Sequence, residues 1–168
     1  MSSEPEQNQS PELKPAIRVL TWFTVCYLFS LVNYIGTSQG LWFWFYAFVR
    51  PAWCVPNWAI TPVWTILYGL IGWAAWDIWN APPDNERKVA LISFGALLSV
   101  NAIWPWLYFS LHWVVASLVA VGLHFVLSIV TAVLFSRVKS RSGYMAIPFL
   151  AWSGYLMILY IVVWKLNK

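Results

Sequence analysis

The sequence predicts an all-α fold, namely a polytopic integral membrane protein built as a bundle of five transmembrane helices. Of its 168 residues, 61% are hydrophobic and 10% are charged, whereas a soluble domain carries about 25% charged residues. The charged residues also lie in short segments that separate long uncharged runs. Because a membrane-spanning helix needs about 20 mostly apolar residues, these runs are long enough to cross a bilayer.

The N-terminal part predicts a polar tail followed by the first span. Residues 1–16 are polar, lack the basic start of a signal peptide and are expected to form a disordered tail before a membrane domain at 17–168. The next uncharged run holds a first span at 19–36, which the polar segment 37–40 (Thr-Ser-Gln-Gly) interrupts. Residues 41–49 are too few to cross a bilayer, so we expect them to lie at the interface or to pack over the bundle.

Four further spans follow from prolines, charges and length. Prolines at positions 51, 56 and 62 separate the first span from the second, at 60–79, because proline interrupts helices. The uncharged run 89–136 would make a helix about 72 Å long, and the hydrocarbon core is only about 30 Å thick. This run must therefore fold back, and the best turn is near 110–113. The remaining predicted spans are 89–109, 114–136 and 143–164.

Five spans place the two ends of the bundle on opposite faces, and the basic residues divide unequally between these faces. Seven Lys and Arg residues fall on the face that begins the first span, and three, Arg50, Lys165 and Lys168, fall on the other. Short cation-rich loops stay cytoplasmic, which would put the N-terminal face inside in a plasma membrane. Since these cations encode topology, we expect no nucleic-acid partner. The pattern does not distinguish a bacterial membrane from an organellar one such as the mitochondrial outer membrane.

Few side chains within the spans could carry out chemistry. Asp77, near the end of the second span, is interpreted as an interfacial carboxylate that faces Arg87 or Lys88. His124, in the fourth span, is interpreted as a hydrogen-bonded bundle residue rather than a haem ligand, because no second ligand lies at helical spacing. No nucleophile–base pair, zinc-binding pattern or phosphate-binding loop is present. The sequence therefore predicts no catalytic residue and no metal site, and it does not favour an enzyme.

Tryptophan is the unusual feature of the composition. The chain has 14 tryptophans, and interfacial belts account for only some of them. Inside the second span, Trp64, Tyr68 and Trp76 recur at four-residue steps on one helical face, with Gly72 between them. Aromatic walls with few polar groups are typical of sites for flat or hydrophobic ligands, but they are equally typical of aromatic packing between helices. The residue pattern leaves both interpretations open.

A family resemblance begins in the first loop. The segment Trp44-Phe-Tyr-Ala-Phe-Val-Arg-Pro-Ala-Trp-Cys-Val-Pro-Asn-Trp58 resembles the first-loop motif of the translocator protein family, also called the tryptophan-rich sensory protein (TspO/MBR) or peripheral benzodiazepine receptor family. The similarity runs over about residues 30–168, in order and with matching spacing. The other matching segments are Pro62-Val-Trp-Thr-Ile-Leu-Tyr68, Asn101-Ala-Ile-Trp104, Pro148-Phe-Leu-Ala-Trp152 and Trp164-Lys-Leu-Asn167.

The resemblance implies a compact bundle, often a homodimer, whose first loop closes a pocket that takes porphyrins or sterols. The protein would act as a membrane receptor or carrier for such a hydrophobic ligand, with no cofactor required and with porphyrin or haem as ligand rather than prosthetic group. The alternatives are a porphyrin-modifying membrane enzyme and a regulatory or structural membrane protein with a divergent pocket. By matching position, the pocket residues would be Trp53, Trp58, Trp64, Tyr68, Asn101, Trp104 and Trp152, and the lid residues Trp44, Arg50, Pro51 and Pro56.

The chain departs from the family pattern at four positions. Val55 replaces a proline of the first loop, and Leu97 replaces a glutamine one turn before the third-span asparagine. In the fifth span, Tyr160 replaces an asparagine and Leu156 replaces a small residue that lines the pocket. These changes predict a drier, partly filled pocket with altered ligand choice, in which Asn101 would supply the main orienting hydrogen bond.

Overall fold

The computed structural model describes residues 15–41 and 44–168, with side chains described from Leu20 onward. Within these residues the chain is helical and has no strand, and five helices are long and apolar enough to cross a membrane. The predicted five-helix membrane bundle is thereby confirmed. The helices are α1 (Pro15–Ser38), α2 (Asn57–Trp79), α3 (Asn85–Pro105), α4 (Val114–Val138) and α5 (Ser140–Leu166).

Most helices extend a few residues beyond the spans that the hydropathy pattern predicted. The reason is that the apolar run marks the hydrocarbon core, whereas polar caps set the helix ends. At the start of α3, for example, the side chain of Asp84 accepts a hydrogen bond from the backbone N–H of Arg87 at 2.7 Å. Of the predicted tail, Pro15 and Ala16 belong to α1, and residues 1–14 lie outside the described residues.

The fold-back between α3 and α4 falls where the sequence placed it. Pro105 closes the regular part of α3, and the wide π turn Trp106–Ser110 follows it, with the N–H of Leu111 donating to the carbonyl of Trp106 at 2.9 Å. His112 then takes a left-handed backbone conformation, with φ of 57°, which reverses the chain into α4. This turn places the end of α3 beside the first loop.

α1 lies at the edge of the bundle and is fastened to the π turn. The Trp106 indole N–H donates to the carbonyl of Val32 at 3.1 Å, and the Ser110 hydroxyl donates to the carbonyl of Gly36 at 3.2 Å. Gly36 and Gly40 lie so close to the turn that a Cβ atom on either would overlap it, at the Trp106 ring and at the Phe109 carbonyl. These contacts fix the point at which the first loop leaves α1.

In the rest of the bundle, α4 packs along α3 and α5, and α2 packs against α5 and α1. Two apolar clusters fill the interior. One is centred on Tyr68, Ile71, Phe94 and Phe135, and the other, beneath the first loop, is centred on Phe45, Trp104, Tyr108 and Tyr160. Phe45, in the short helical turn Phe45–Ala47, is 4% exposed, so the segment after α1 packs over the bundle.

Asp77 is paired, but not with the residues expected from sequence. Its carboxylate accepts a hydrogen bond from Lys139 at 3.2 Å and lies 3.8 Å from Arg141. Arg87 instead donates to the carbonyl of Ala81 and covers the Trp79 ring. The expectation that Asp77 faces Arg87 or Lys88 is wrong because the junction of α4 and α5 lies beside the end of α2, closer than the cations that follow Asp77 in sequence.

Candidate ligand-binding site

A cavity of about 500 Å³ lies beneath the first loop, between α1, α2, α5 and the end of α3. Helical periodicity brings aromatic residues of α2 and α5 to face it, and the π turn adds residues from α3. Its aromatic lining consists of Tyr34, Phe45, Trp58, Trp64, Trp104, Phe109, Trp152, Tyr155 and Tyr160. The volume is within the range of sites that bury small organic ligands.

The aromatic lining is organised by ring contacts. Trp152 stacks on Tyr155 with centroids 5.0 Å apart, and Trp64 meets Trp152 edge to face at 6.3 Å. Trp104 meets Tyr160 edge to face at 5.1 Å. Such offset and edge-to-face pairs stabilise the positions of the rings, so the walls are held in place by the protein itself.

The cavity surface is mainly apolar, although seven small polar residues also line it, namely Ser30, Asn33, Thr37, Ser38, Asn57, Thr61 and Thr65. The Trp152 indole N–H is buried and has no hydrogen-bond partner among the described residues. The Tyr160 hydroxyl likewise makes no hydrogen bond within the described part of the chain. On the opposite wall, Asn33 uses its side-chain N–H to bond the carbonyl of Asn101 at 2.9 Å. The wall is therefore apolar, with a small number of groups available to a polar atom of a ligand.

Four of the seven pocket residues expected from the resemblance line this cavity. They are Trp58, Trp64, Trp104 and Trp152. Trp53 lies outside it, half-exposed in the first loop, with its ring 5.9 Å from that of Tyr155. Tyr68 and Asn101 are buried behind the wall and do not line it.

Tyr68 and Asn101 form a hydrogen-bonded network that supports the wall. The Asn101 amide donates to the Tyr68 hydroxyl at 2.6 Å and accepts from the indole N–H of Trp104 at 3.2 Å. Asn101 is fully buried, and its side-chain bonds are made to protein rather than offered to the cavity. Asn101 therefore supports Trp104 directly, through a hydrogen bond. It supports Trp64 indirectly, because its partner Tyr68 stacks against the Trp64 ring.

The first loop is held down by α5 at two points. Asn167 bonds the backbone of Val49, and the Tyr155 hydroxyl accepts a 2.9 Å hydrogen bond from the N–H of Val55. Sequence reasoning assigned no role to Tyr155 and none to Asn167 beyond its place in the matching segment. No local pattern reveals such contacts, since the two pairs of partners lie 118 and 100 residues apart in sequence.

Three of the expected lid residues line a second feature of the first loop, a groove of about 520 Å³. Arg50, Pro51 and Pro56 belong to it, together with Cys54 and four other residues. Burial raises the pKa of the Cys54 thiol, and the positive charge of Arg50 partly offsets that rise. The fourth lid residue, Trp44, packs instead on Phe48 and Tyr108 and anchors the loop to the bundle.

The positions that depart from the family pattern fall into three places. Val55 lies in the first loop and lines both the cavity and the groove. Leu97 is buried in the apolar cluster around Phe94 and does not reach the cavity. Leu156 and Tyr160 line the cavity from α5. Both side chains thus form part of the α5 wall of the cavity of about 500 Å³.

The small residues of the spans serve helix packing where they face the bundle. A Cβ atom on Gly72 would come 3.2 Å from the sulfur of Cys26, so α1, rather than a flat ligand, covers that surface. A Cβ atom on Gly95 would meet no described atom within 4 Å, and Ser99 is exposed on the same side of α3. This pair faces away from the rest of the described bundle.

His124 is buried in α4 without the hydrogen bond expected of it. Neither ring nitrogen has a partner among the described residues, and its ring lies 5.7 Å from that of Phe149. Across the described residues, no group of three His, Cys, Asp or Glu side chains could hold a metal ion.

Comparisons with known proteins extend over the whole bundle. The sequence profile of the TspO/MBR family matches residues 21–165. The chain is 29% identical to the tryptophan-rich protein TspO of Chlorobaculum tepidum, over 74% of this chain and 80% of that protein. It is 30% identical to protein CrtK of Rhodobacter capsulatus, over 74% and 78% of the two chains. With the translocator protein of Sus scrofa, identity is 28% over 74% and 75%.

Proposed function

The chain belongs to the TspO/MBR family, and from this premise we propose that it binds a hydrophobic ligand, a porphyrin or a sterol, in the aromatic cavity beneath the first loop. Family membership and five apolar helices make it a multi-pass integral membrane protein of a ligand-binding or transport type, surrounded by the lipid bilayer. Its relatives come from both bacteria and mammals. The ligand and the closing role of the loop are the proposal.

The main support for the proposal is the cavity itself. A space of about 500 Å³ walled by tryptophan and tyrosine rings suits a large apolar body that gains from stacking and dispersion. Leu156 and Tyr160 line the space without closing it. This supports a ligand-binding role over that of a regulatory protein with a filled pocket.

The sparse polar groups suit a ligand with few polar atoms. The unpartnered indole N–H of Trp152 can donate a hydrogen bond, and the hydroxyl of Tyr160 can donate or accept one. A sterol hydroxyl or a porphyrin side chain could meet either group. Binding such an atom would satisfy a donor that is otherwise buried without a partner, which favours the bound state.

A second candidate, a porphyrin-modifying enzyme, is favoured by one observation. Trp64, Trp152, Tyr155 and Trp53 form a continuous series of ring contacts, with successive centroids 5.0–6.3 Å apart. The series leads from the cavity wall to the exposed side of the first loop, so oxidised aromatic rings could exchange electrons along it. Formation of a porphyrin product under light, lost in Trp53→Phe, would support this candidate.

The primary test is a titration of lipid-reconstituted protein with protoporphyrin IX, read by quenching of tryptophan emission and corrected for porphyrin absorption. Trp152→Leu removes one aromatic ring from the cavity wall. Trp113→Leu is the control, because it removes one tryptophan at an exposed position at the start of α4. We expect saturable binding that weakens about tenfold in Trp152→Leu, since an aromatic contact is worth about 0.5–1.5 kcal/mol beyond its buried area. Trp113→Leu should bind as the wild type does.

Two outcomes would contradict the proposal. Quenching that rises linearly and equally in all three proteins would show partition into lipid rather than binding. Equal weakening by Trp152→Leu and Trp113→Leu would place the porphyrin outside the cavity. Dehydroergosterol, a fluorescent sterol, would be titrated in the same samples to choose between the two ligand classes.

A further inference from the structure

Resting on the proposed cavity, we infer that the first-loop groove at Arg50 binds a carboxylate, so that the ligand is an amphipathic acid with its apolar body in the cavity. The groove has a volume of about 520 Å³ and is lined by Arg50, Cys54 and Asn57 among others. The surface of the groove is mainly polar, whereas that of the cavity is mainly apolar. A ligand that fills both would therefore carry a polar group and an apolar body.

Arg50 has no acidic partner within the described residues. Its guanidinium lies over the rings of Tyr46 and Phe45, with its carbon 4.7 Å and 5.7 Å from their centroids. It makes no ion pair and no hydrogen bond with any described residue. A guanidinium presents five N–H donors in a fixed fork that matches a carboxylate, and here the ring contacts hold the fork in the groove while its donors stay available.

The charge distribution of the bundle favours an anion at this end. The described acidic side chains, Asp77, Asp84 and Glu86, all lie at or after the far end of α2. On the first-loop side, Lys165 lies in the last turn of α5, and Lys168 follows the helix next to Asn167, which bonds the loop. No described carboxylate side chain pairs with Arg50.

The groove and the cavity are adjacent. Cys54, Val55 and Asn57 line both. A molecule with its apolar body among the aromatic rings would therefore have to extend a charged group only past Val55 to reach Arg50. A purely apolar ligand would not match the groove, and a purely polar ligand would not match the cavity.

The backbone on each side of Arg50 is fixed to α5. Val49 is bonded by Asn167, and Val55 by the Tyr155 hydroxyl. These anchors hold the segment between them and reduce the ordering that binding would otherwise require. One guanidinium balances one negative charge, which suits a carboxylate better than a phosphate monoester of nearly two charges.

The test compares protoporphyrin IX with its dimethyl ester, which has the same macrocycle and no carboxylate, in nanodiscs of zwitterionic lipid. The proteins are the wild type, Arg50→Gln, Arg50→Lys and Lys165→Gln, the last removing a cation at the end of α5. We expect the wild type to bind the acid at least tenfold more tightly than the ester, because hydrogen bonds to charged groups are among the strongest. Arg50→Gln should abolish this preference by lowering the affinity for the acid far more than that for the ester. Arg50→Lys should retain part of the preference, and Lys165→Gln should retain it.

Each of the other possible results would overturn the inference. Equal binding of acid and ester by the wild type, or a preference that survives in Arg50→Gln, would overturn the carboxylate site and leave the cavity proposal intact. Failure of both porphyrins to bind would overturn this inference, and failure of dehydroergosterol to bind as well would overturn the cavity proposal with it. If phosphatidylglycerol abolished the preference of the wild type for the acid while the affinity for the ester stayed the same, the groove would be assigned to lipid headgroups and the inference would be overturned as well.

Discussion

Asn167 pairs with Val49 through both halves of its side-chain amide. The Asn167 oxygen accepts from the backbone N–H of Val49, and the Asn167 nitrogen donates to the carbonyl of Val49, each at 2.9 Å. The same nitrogen also donates to the carbonyl of Val163 at 2.8 Å, within its own helix. Asn167, the first residue after α5, thus connects the end of the bundle directly to the first loop.

Replacing Asn167 by alanine should loosen the first loop and weaken ligand binding. Three side-chain hydrogen bonds are lost, two of which hold the first loop at Val49. Since each is worth about 0.5–1.5 kcal/mol net, we expect about a tenfold loss of protoporphyrin affinity. Backbone amides of residues 44–56 should exchange hydrogen faster, as followed by mass spectrometry. Asn80→Ala is the matched control, because Asn80 also follows a helix and donates to a carbonyl of its own helix at 2.8 Å. Equal exchange in both variants would refute the anchoring role.

Asn101→Leu should destabilise the protein more than it weakens ligand binding. It leaves the Tyr68 hydroxyl and the Trp104 indole N–H without their partner in a buried site, at a cost of about 1–3 kcal/mol. Thermal unfolding in detergent, followed by tryptophan emission, would measure the loss. Ser99→Ala, which removes an exposed hydroxyl two residues away, should change the free energy of unfolding by less than about 0.5 kcal/mol. If Asn101→Leu lost binding at unchanged stability, Asn101 would instead contact the ligand.

Leu156→Ala should enlarge the cavity and favour bulky ligands. Leu156 is 6% exposed and lines the α5 wall, so its truncation leaves space next to the ligand rather than a closed void. We expect protoporphyrin to bind several-fold more tightly, with a lower unfolding temperature from the lost packing. Ile158→Ala, on the exposed side of the same helix, serves as control. Unchanged or weaker porphyrin binding in Leu156→Ala would show that the wall at this point does not limit ligand size.

Gly40→Ala should disrupt the start of the first loop, because the added Cβ would overlap the carbonyl of Phe109. Backbone atoms cannot move aside as a flexible side chain can, so we expect a large loss of folded protein. Gly122→Ala, where a Cβ meets nothing within 4 Å, should fold normally and gain slightly from the higher helix propensity of alanine. Yields of monodisperse protein and unfolding temperatures would compare the two. Similar behaviour would mean that α1 can shift away from the π turn.

Cys54 should report ligand binding through its rate of alkylation. Its raised pKa lowers the thiolate fraction at pH 8, and since the thiolate is the reactive form, labelling by maleimide should be slow and should accelerate as pH rises. Saturating protoporphyrin should slow it further, because Cys54 lines both the cavity and the groove. Cys26, which is fully buried, is the internal control and should react only after unfolding. Equal labelling rates with and without ligand would place the ligand away from the first loop.

The helix count could be predicted because it follows from a local quantity, the length of each uncharged run. The pairing of Asp77 could not be predicted, since its partners Lys139 and Arg141 come from a segment about 60 residues away. The nearer cations that sequence reasoning chose lie on the same face of the bundle but point elsewhere. Helix ends were likewise missed by a few residues because caps, rather than apolarity, set them.

The candidate site could be predicted in composition but not in arrangement. The matching segments supplied Trp58, Trp64, Trp104 and Trp152, which line the cavity. Whether a side chain faces the cavity or lies behind its wall depends on how the helices rotate and cross. The position of Asn101 in a matching segment therefore could not show that its side chain bonds Tyr68 and Trp104 instead of facing the cavity. The anchoring contacts of the first loop depend on tertiary contacts alone.

The cavity wall formed by α1 and α2 includes aromatic side chains that are largely exposed. Tyr34 and Trp58 line the cavity and are also 62% and 78% exposed. For the proposed hydrophobic ligand, entry from the bilayer on this side would make its mole fraction in lipid the quantity that governs occupancy. Affinities quoted against total ligand concentration would therefore change with the lipid-to-protein ratio, while those expressed per lipid molecule would stay constant.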